Sequence, residues 1–308
     1  MKRVFGGAIL PEALRGGVVA LGNFDGFHAG HQAVVGRALA LARAQGSPAL
    51  VASFDPHPAR LFKPDLPPFA LTTVAQRLDL FAGFGMDAGV ILPFDVKLAA
   101  QSAAEFVQDW LVGRLGVSGV VTGGDFTFGR GREGDVALLR DLMADAGGVA
   151  EVVPAVTDGA GVISSTRVRH ALLAGEPEVA AALLTRPFAI RGVVEHGAKL
   201  GRQLGFPTAN MRLLDYVRPR YGVYAVRVRL ADGALVPGVA NLGVRPMIEP
   251  RQELLETWLL DWSGDLYGQE IEVELIGYLR PEMKLDGLEA LKAQVMADAQ
   301  AARAVLGA

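Results

Sequence analysis

The chain has 308 residues, 51% hydrophobic and 20% charged, which excludes disorder by low hydrophobicity and high charge and gives two domains, or one large one, at about 100 to 200 residues per domain. A net charge of −3 without a Lys/Arg run leaves a nucleic-acid groove no electrostatic footprint, and the lack of cysteine rules out disulfides, thiolate nucleophiles and cysteine-ligated zinc. Glycine is in excess, 38 of 308 residues, about 12% against a usual value of about 7%, and without a collagen period this surplus belongs in turns.

Lys2 and Arg3 precede a short apolar stretch that Pro11 and Glu12 stop, with no small-residue cleavage pattern. Met1 to Leu10 therefore reads as holding a first strand rather than a signal peptide. No apolar run approaches the roughly 18 residues of a transmembrane helix, so the expectation is a soluble, cytoplasmic protein without a membrane partner. Strand patterns at Val18–Gly22, Ala49–Phe54, Ala88–Leu92, Gly119–Thr122 and Val149–Val153 alternate with helical patterns at Gly30–Gln45, Val74–Phe84, Ser102–Leu115 and Asp135–Ala146. Ser102 and Glu105 make a capping box at the third of these helices. Such alternation predicts an α/β fold with a parallel sheet and ligand sites at the carboxyl ends of its strands.

After Thr166 the pattern changes. Two short helices, Arg167–Ala174 and Glu178–Leu184, precede strand-like runs at Ala189–Glu195, Val223–Leu230, Leu235–Leu242, Leu254–Leu260 and Ile271–Leu279, separated by turns such as Asp232-Gly233 and Ser263-Gly264. This predicts a small antiparallel barrel followed by a helix at Leu288–Leu306. The boundary is placed near Thr185, giving domains of 1–184 and 185–308.

The strand at Val18 runs into Gly22-Asn23-Phe24-Asp25-Gly26-Phe27-His28-Ala29-Gly30-His31. Two histidines three apart thus stand at a helix N-terminus, where backbone N–H groups and the dipole favour anions, and small residues between them allow a polyphosphate close to the backbone. Imidazoles there can donate hydrogen bonds to a phosphoryl transition state. Zinc has no third ligand nearby in sequence. The run Gly129-Arg130-Gly131-Arg132-Glu133-Gly134 satisfies a GxGxxG pattern, but it follows a loop instead of a strand and reads as a surface loop.

In the second half, His196-Gly197-Ala198-Lys199-Leu200-Gly201-Arg202-Gln203-Leu204-Gly205-Phe206-Pro207-Thr208-Ala209-Asn210 spaces three glycines four apart. With no GxxxxGK[ST] in the chain, a Walker A loop is excluded, yet Gly197, Gly201 and Gly205 permit an anion nest. Thr208 and Asn210 offer a hydroxyl and an amide oxygen, hard ligands suited to Mg²⁺ arriving with ATP.

These segments together resemble a known family. The His28–His31 turn is similar to the HxGH motif of nucleotidyltransferases. With Ser53-Phe54-Asp55-Pro56-His57-Pro58, Gly123-Gly124-Asp125-Phe126-Thr127-Phe128-Gly129 and Ile163-Ser164-Ser165-Thr166-Arg167-Val168-Arg169 it resembles the FAD synthetase module of bacterial bifunctional riboflavin kinase/FAD synthetases. The run from His196 to Asn210 closely matches the HGxxxGRxLGFPTAN signature of the riboflavin kinase module. The resemblance implies a Rossmann-like nucleotidyltransferase sheet followed by a kinase barrel, with ATP and Mg²⁺ used to convert riboflavin to FMN and FMN to FAD.

By carry-over, His28, His31, Ser164, Ser165, Thr166 and Arg169 act on nucleotide phosphates, with Gly22, Asn23, Phe24, Asp25, Gly26 and Gly30 around them. Gly197, Gly201, Arg202 and Gly205 do so in the kinase, and Thr208 and Asn210 hold the metal. Phe54, His57, Asp125, Phe126 and Phe128 are flavin candidates. The family's LExHLxDF stretch corresponds to Leu255-Glu256-Thr257-Trp258-Leu259-Leu260-Asp261-Trp262, which makes Glu256 the catalytic carboxylate; Trp258 stands where His is usual, and Met247 where Thr is usual. At this level loss of one activity, or a non-catalytic flavin-binding regulator, remain the alternatives, and the oligomeric state is not written in a readable pattern.

Overall fold

The computed structural model describes residues 1–196, 205–245 and 252–308. They form two compact units, Met1–Pro67 with Val74–Ser164, and Pro68–Thr73 with Ser165–Ala308. Among the described residues no helix is long and apolar enough to cross a membrane.

In the first unit, β1 (Lys2–Phe5), β2 (Val18–Leu21), α1 (Ala29–Ala44), β3 (Ala49–Asp55), α2 (Pro58–Phe62), α3 (Val74–Gly83), β4 (Ala88–Pro93), α4 (Val96–Ala100), α5 (Ala103–Phe106), β5 (Gly119–Gly123), α6 (Val136–Asp145) and β6 (Val149–Val153) follow in order. The six strands make one parallel sheet, β1-β4-β3-β2-β5-β6. Chain direction across the sheet reverses between β2 and β5, the switch point beside which open α/β sheets bind ligands. Both faces of β2 are buried. Val18 and Ala20 pack with Val34, Val35, Ala38 and Ala42 of α1, while Val19 and Leu21 face Trp110, Leu111 and Leu139. A strand covered on both faces reads as a continuous apolar run, as VVAL does.

The expected helix at Ser102–Leu115 starts with its capping box, Glu105 N–H donating to Ser102 Oγ and Ser102 N–H donating to Glu105, but is α-helical only through Phe106. Val107–Arg114 continue as a π-helix. The short helices α2 and α4 are additional to the sequence reading. So is a hairpin of β7 (Thr157–Asp158) and β8 (Gly161–Val162). The GxGxxG decoy forms a 3₁₀ turn at Arg130–Arg132.

The second unit contains α7 (Ser165–Ala174), α8 (Pro177–Leu184), β9 (Phe188–Val193), β10 (Thr208–Arg212), β11 (Gly222–Arg229), β12 (Leu235–Arg245), β13 (Gln252–Leu259), β14 (Glu270–Arg280) and α9 (Leu288–Leu306). Its sheet is antiparallel in the order β10-β13-β12-β11-β14-β9. Glu195, just past β9, bridges to Asn210 on β10, its N–H donating to the Asn210 carbonyl at 2.8 Å. That bridge joins the two outermost strands and curls the sheet into the expected barrel. Both α7 and α8, N-terminal to Thr185 in sequence, group with this unit because α8 packs on β9 and β14.

Helix α9 covers the outer face of the sheet through Ala299 and Ala302, against Val223, Ala225 and Val239. It is pinned by a two-pronged ion pair: Arg280 Nε donates to Asp298 Oδ1 at 2.8 Å and Nη2 to Oδ2 at 2.7 Å, and Gln294 adds a third bond at 2.9 Å. Asp298 is buried. Asp298→Ala leaves the guanidinium uncompensated and is expected to lower the stability of the second unit by about 3 kcal/mol, read as an earlier urea midpoint. A loss under about 1 kcal/mol, the ordinary worth of an exposed pair, would contradict this role.

Candidate functional site

The chemistry-bearing residues of the first unit gather where β2 ends. The turn from Gly22 to His28 folds through left-handed backbone at Phe24 (φ 50°), Gly26 (φ 83°) and Phe27 (φ 47°). Non-glycine residues seldom adopt this conformation. Packing offsets the strain: Phe24 and Phe27 are both buried and edge-on to Phe81. The turn delivers His28 to the N-cap of α1, where its Nδ1 accepts from the His31 N–H at 3.4 Å. An accepting Nδ1 places the hydrogen of the neutral ring on Nε2. The His28 and His31 rings stack with centroids 3.6 Å apart, and Phe24 meets His31 edge-on at 5.3 Å.

Gly30 is closely approached. A Cβ there would lie 3.1 Å from the His28 ring and 3.3 Å from the Ile163 carbonyl. The Ile163 carbonyl, one residue before Ser164, thus comes beside the start of α1. The turn is also held from below. The Asn23 carbonyl accepts from Ser53 Oγ on β3 and from Arg77 Nη1 on α3, each at 2.8 Å. Asp25 is buried. Arg77 was invisible to motif reading, though a charge in the Val74, Arg77, Leu78, Phe81 stripe of a helix marks a residue that is either exposed or buried for a reason.

The flavin candidates have structural partners. Phe54 belongs to the buried core and meets Phe94 edge-on at 5.6 Å; Phe128 is buried with Phe126 stacked on it at 5.7 Å. His57 caps α2, its Nδ1 accepting from Ala59 N–H at 3.1 Å. Asp125 follows β5 at the switch point. Ser165, Thr166 and Arg169 open α7 in the second unit, where Arg169 Nε donates to the Phe69 carbonyl at 2.7 Å and the guanidinium lies over the Phe69 ring.

The second unit sets its polar residues by strand register. Asn210 on β10 lies opposite Glu256 on β13, and Glu256 lies opposite Asn241 on β12. Thr208, two residues before Asn210, lies opposite Trp258. Side chains two apart share a sheet face and directly opposed ones stand about 5 Å apart, so Thr208, Asn210, Glu256, Asn241 and Trp258 form one patch. Asn210 Nδ2 donates to the Thr208 carbonyl at 3.2 Å, which orients its amide. Asn241 Nδ2 donates to Glu282 Oε1 at 3.2 Å. Asn241 belongs to the run Gly238–Pro246 that also fits the riboflavin kinase resemblance, whereas Glu282 has no sequence signal.

Beside Thr208 and Asn210 opens a cleft of 340 Å³, lined also by Trp262, Asp265, Leu266 and Tyr267. This is within the range of small-molecule sites. His196 packs on Tyr267 with ring centroids 4.0 Å apart. Trp258, the departure from His, meets Phe206 and packs beside α9. Gly205 has φ 91°, and Gly197, Gly201, Arg202 and Met247 lie outside the described residues.

Comparison with known proteins matches each half separately. A family model described as FAD synthetase matches residues 10–167, and one described as riboflavin kinase matches 184–306. The Escherichia coli K12 bifunctional riboflavin kinase/FMN adenylyltransferase is 41% identical over 308 residues, covering 100% of this chain and 98% of that one. The Pseudomonas fluorescens protein of the same name is 43% identical over 292 residues, 94% of this chain and 93% of that one. A Streptococcus pneumoniae crystal structure described as a macrolide-efflux protein superposes with a TM-score of 0.88 at 30% identity, over 98% of this chain and 99% of that one.

Gly30→Ala is expected to displace the His28 ring slightly against His31. NMR then reads a change in the mutual ring-current shifts on both imidazole Hε1 signals; unchanged shifts would show that the contact at Gly30 does not set the pair.

Proposed function

The chain belongs to the bifunctional riboflavin kinase/FMN adenylyltransferases, and we propose that it performs its two reactions at the two sites just described, with a functional boundary between 184 and 185. It is a transferase that phosphorylates riboflavin with ATP to FMN and adenylates FMN with ATP to FAD, releasing pyrophosphate. One observation supports the division above others: the stacked His28–His31 pair lies in one compact unit, and the Thr208, Asn210 and Glu256 patch in the other.

In the kinase step the ribityl hydroxyl of riboflavin loses its proton as it attacks the γ-phosphorus of ATP. Glu256 takes that proton. Thr208 and Asn210 are the residues that would hold Mg²⁺ through their oxygens, and the ion would supply charge neutralisation at the phosphates; the alternate spacing of the two on β10 and the oriented Asn210 amide fit a hard cation. No group of three or more His, Cys, Asp or Glu that could hold a metal occurs among the described residues. The cleft beside Thr208 receives the nucleotide, with Gly197, Gly201, Arg202 and Gly205 assigned to its phosphates.

In the adenylylation step the nucleophile is the FMN phosphate, whose second pKa near 6 leaves it largely anionic at pH 7. It needs no base. It needs the approach of two anions to be compensated and pyrophosphate to be stabilised as it leaves. His28 through its Nε2–H, His31 and Ser164 of the first unit are assigned to this, with Gly22, Asn23, Phe24, Asp25, Gly26 and Gly30 shaping the cradle; Ser165, Thr166 and Arg169, which open α7 in the second unit, carry the same assignment from the family motif alone. Phe54, His57, Asp125, Phe126 and Phe128 are assigned to the flavin side. The protein works in the cytoplasm on small molecules, without nucleic acid. Efflux, the description attached to the pneumococcal structure, has no membrane-spanning helix to run through among the described residues. A non-catalytic flavin binder has no use for a carboxylate aligned with two oxygen ligands.

Incubation with riboflavin, ATP and Mg²⁺ followed by chromatography for FMN and FAD tests the assignment. Glu256→Gln is expected to stop FMN formation and leave conversion of supplied FMN to FAD intact; an equal fall in both rates would count against separate sites. His31→Ala is expected to let FMN accumulate and to lower FAD formation by about 10²- to 10³-fold, the usual cost of one transition-state donor. Unchanged FAD output would remove His31 from the phosphate site.

A further inference from the structure

Arg77 of α3 is only 5% exposed, in a stripe whose other members are Val74, Leu78 and Phe81. Its Nη1 donates to the Asn23 carbonyl at 2.8 Å and to Ser53 Oγ at 2.7 Å, while Ser53 Oγ donates to the same carbonyl. Its Nε is buried without a hydrogen-bond partner among the described residues. Burial pulls its pKa down, and the charges of Asp25 and Asp55 oppose that pull. Taking a guanidinium out of water costs several kcal/mol, and a well-packed apolar residue is often neutral or better in such a place. Packing of α3 alone therefore gives no reason for an arginine.

What the group touches does. Asn23 opens the turn that carries His28 and His31 after β2, and Ser53 precedes Phe54 and Asp55 at the end of β3. Those two loops are the ones assigned to the ATP phosphates and to the flavin. We infer that Arg77 is a positioning residue for adenylyl transfer, fixing the offset between the β2 and β3 loops so that the FMN phosphate meets the α-phosphorus of ATP in line. A bond forms from the FMN phosphate oxygen to the α-phosphorus, the bond to the bridging oxygen of the β-phosphate breaks, and pyrophosphate leaves with that electron pair. Arg77 exchanges no proton in this step. The inference rests on the adenylyltransferase reading of this unit.

The test is steady-state kinetics of the full-length protein with supplied FMN, ATP and Mg²⁺, with riboflavin phosphorylation measured in the same preparations. Arg77→Met fills the stripe without hydrogen bonds. It is expected to lower kcat for FAD formation by about 10- to 100-fold, the scale set by misplacing reactants by about 1 Å. KM for ATP and for FMN should move far less, and riboflavin phosphorylation should not change. Ser53→Ala removes only the hydroxyl between the two loops and is expected to lower kcat by a smaller factor. The double variant should fall no further than Arg77→Met, because the two act through one link. A loss confined to KM, a loss that merely follows a lowered Tm, or full additivity of the two changes would overturn the inference. If Arg77→Met does not fold, Ser53→Ala decides, and an unchanged kcat there overturns it. Absence of FAD with the unaltered protein refutes the adenylyltransferase reading itself and is thereby distinguished.

Discussion

The register of β13 between β10 and β12 is the constraint that places Glu256, the proposed kinase carboxylate, on one sheet face with Thr208 and Asn210. Along this strand Leu255 and Thr257 are fully buried, opposite Met211, Leu242, Ala209 and Ala240, whereas Glu256 and Trp258 take the other face. A slip of one residue would exchange the two sets, sending Glu256 into the apolar interior and placing Thr257 beside Asn210. The apolar residues that make the interior thus also fix where the carboxylate stands. The arrangement has a visible cost: Thr257 Oγ1 is buried without a hydrogen-bond partner among the described residues. The Glu195–Asn210 bridge holds β10 from its other side, so the strand bearing both metal-ligand candidates is paired along both edges at that point.

The first unit solves a different problem. The residues assigned there to the phosphates lie on a turn, and turns are ordered only by what surrounds them. Here left-handed phenylalanines are locked against Phe81, Gly30 leaves room for the His28 ring, and the Asn23 carbonyl is gripped by donors from β3 and α3. In the proposed division of labour the first site uses no general base and spends its residues on placement and charge, whereas the carboxylate proposed for the kinase step, Glu256, is set by strand pairing.

Much of this was legible in the sequence because it is local. The β2-to-α1 turn, the parallel alternation and the antiparallel second half follow from patterns a few residues long. The strand β10 was not resolved, since Thr208–Arg212 is short and follows a glycine-rich run that reads as loop. The π-helical stretch at Val107–Arg114 breaks no propensity rule that could have announced it. Contacts between distant segments left little trace: Asn241 meets Glu256 only through strand pairing, Glu282 reaches Asn241 only through a side-chain hydrogen bond, and Arg77 reaches Asn23 across 54 positions. Its one signal was a charge in an apolar stripe. The aromatic flavin candidates show the converse, with Phe54 and Phe128 equally well explained as core.

If the two reactions run at separate sites, the intermediate can travel through solution between molecules. Mixing the Glu256→Gln protein with the His31→Ala protein and supplying riboflavin, ATP and Mg²⁺ is therefore the most direct measurement. Neither protein alone should make FAD from riboflavin, and the account predicts that the mixture does, with FMN appearing first. A mixture that accumulates FMN but yields no FAD above the level of its components would contradict it.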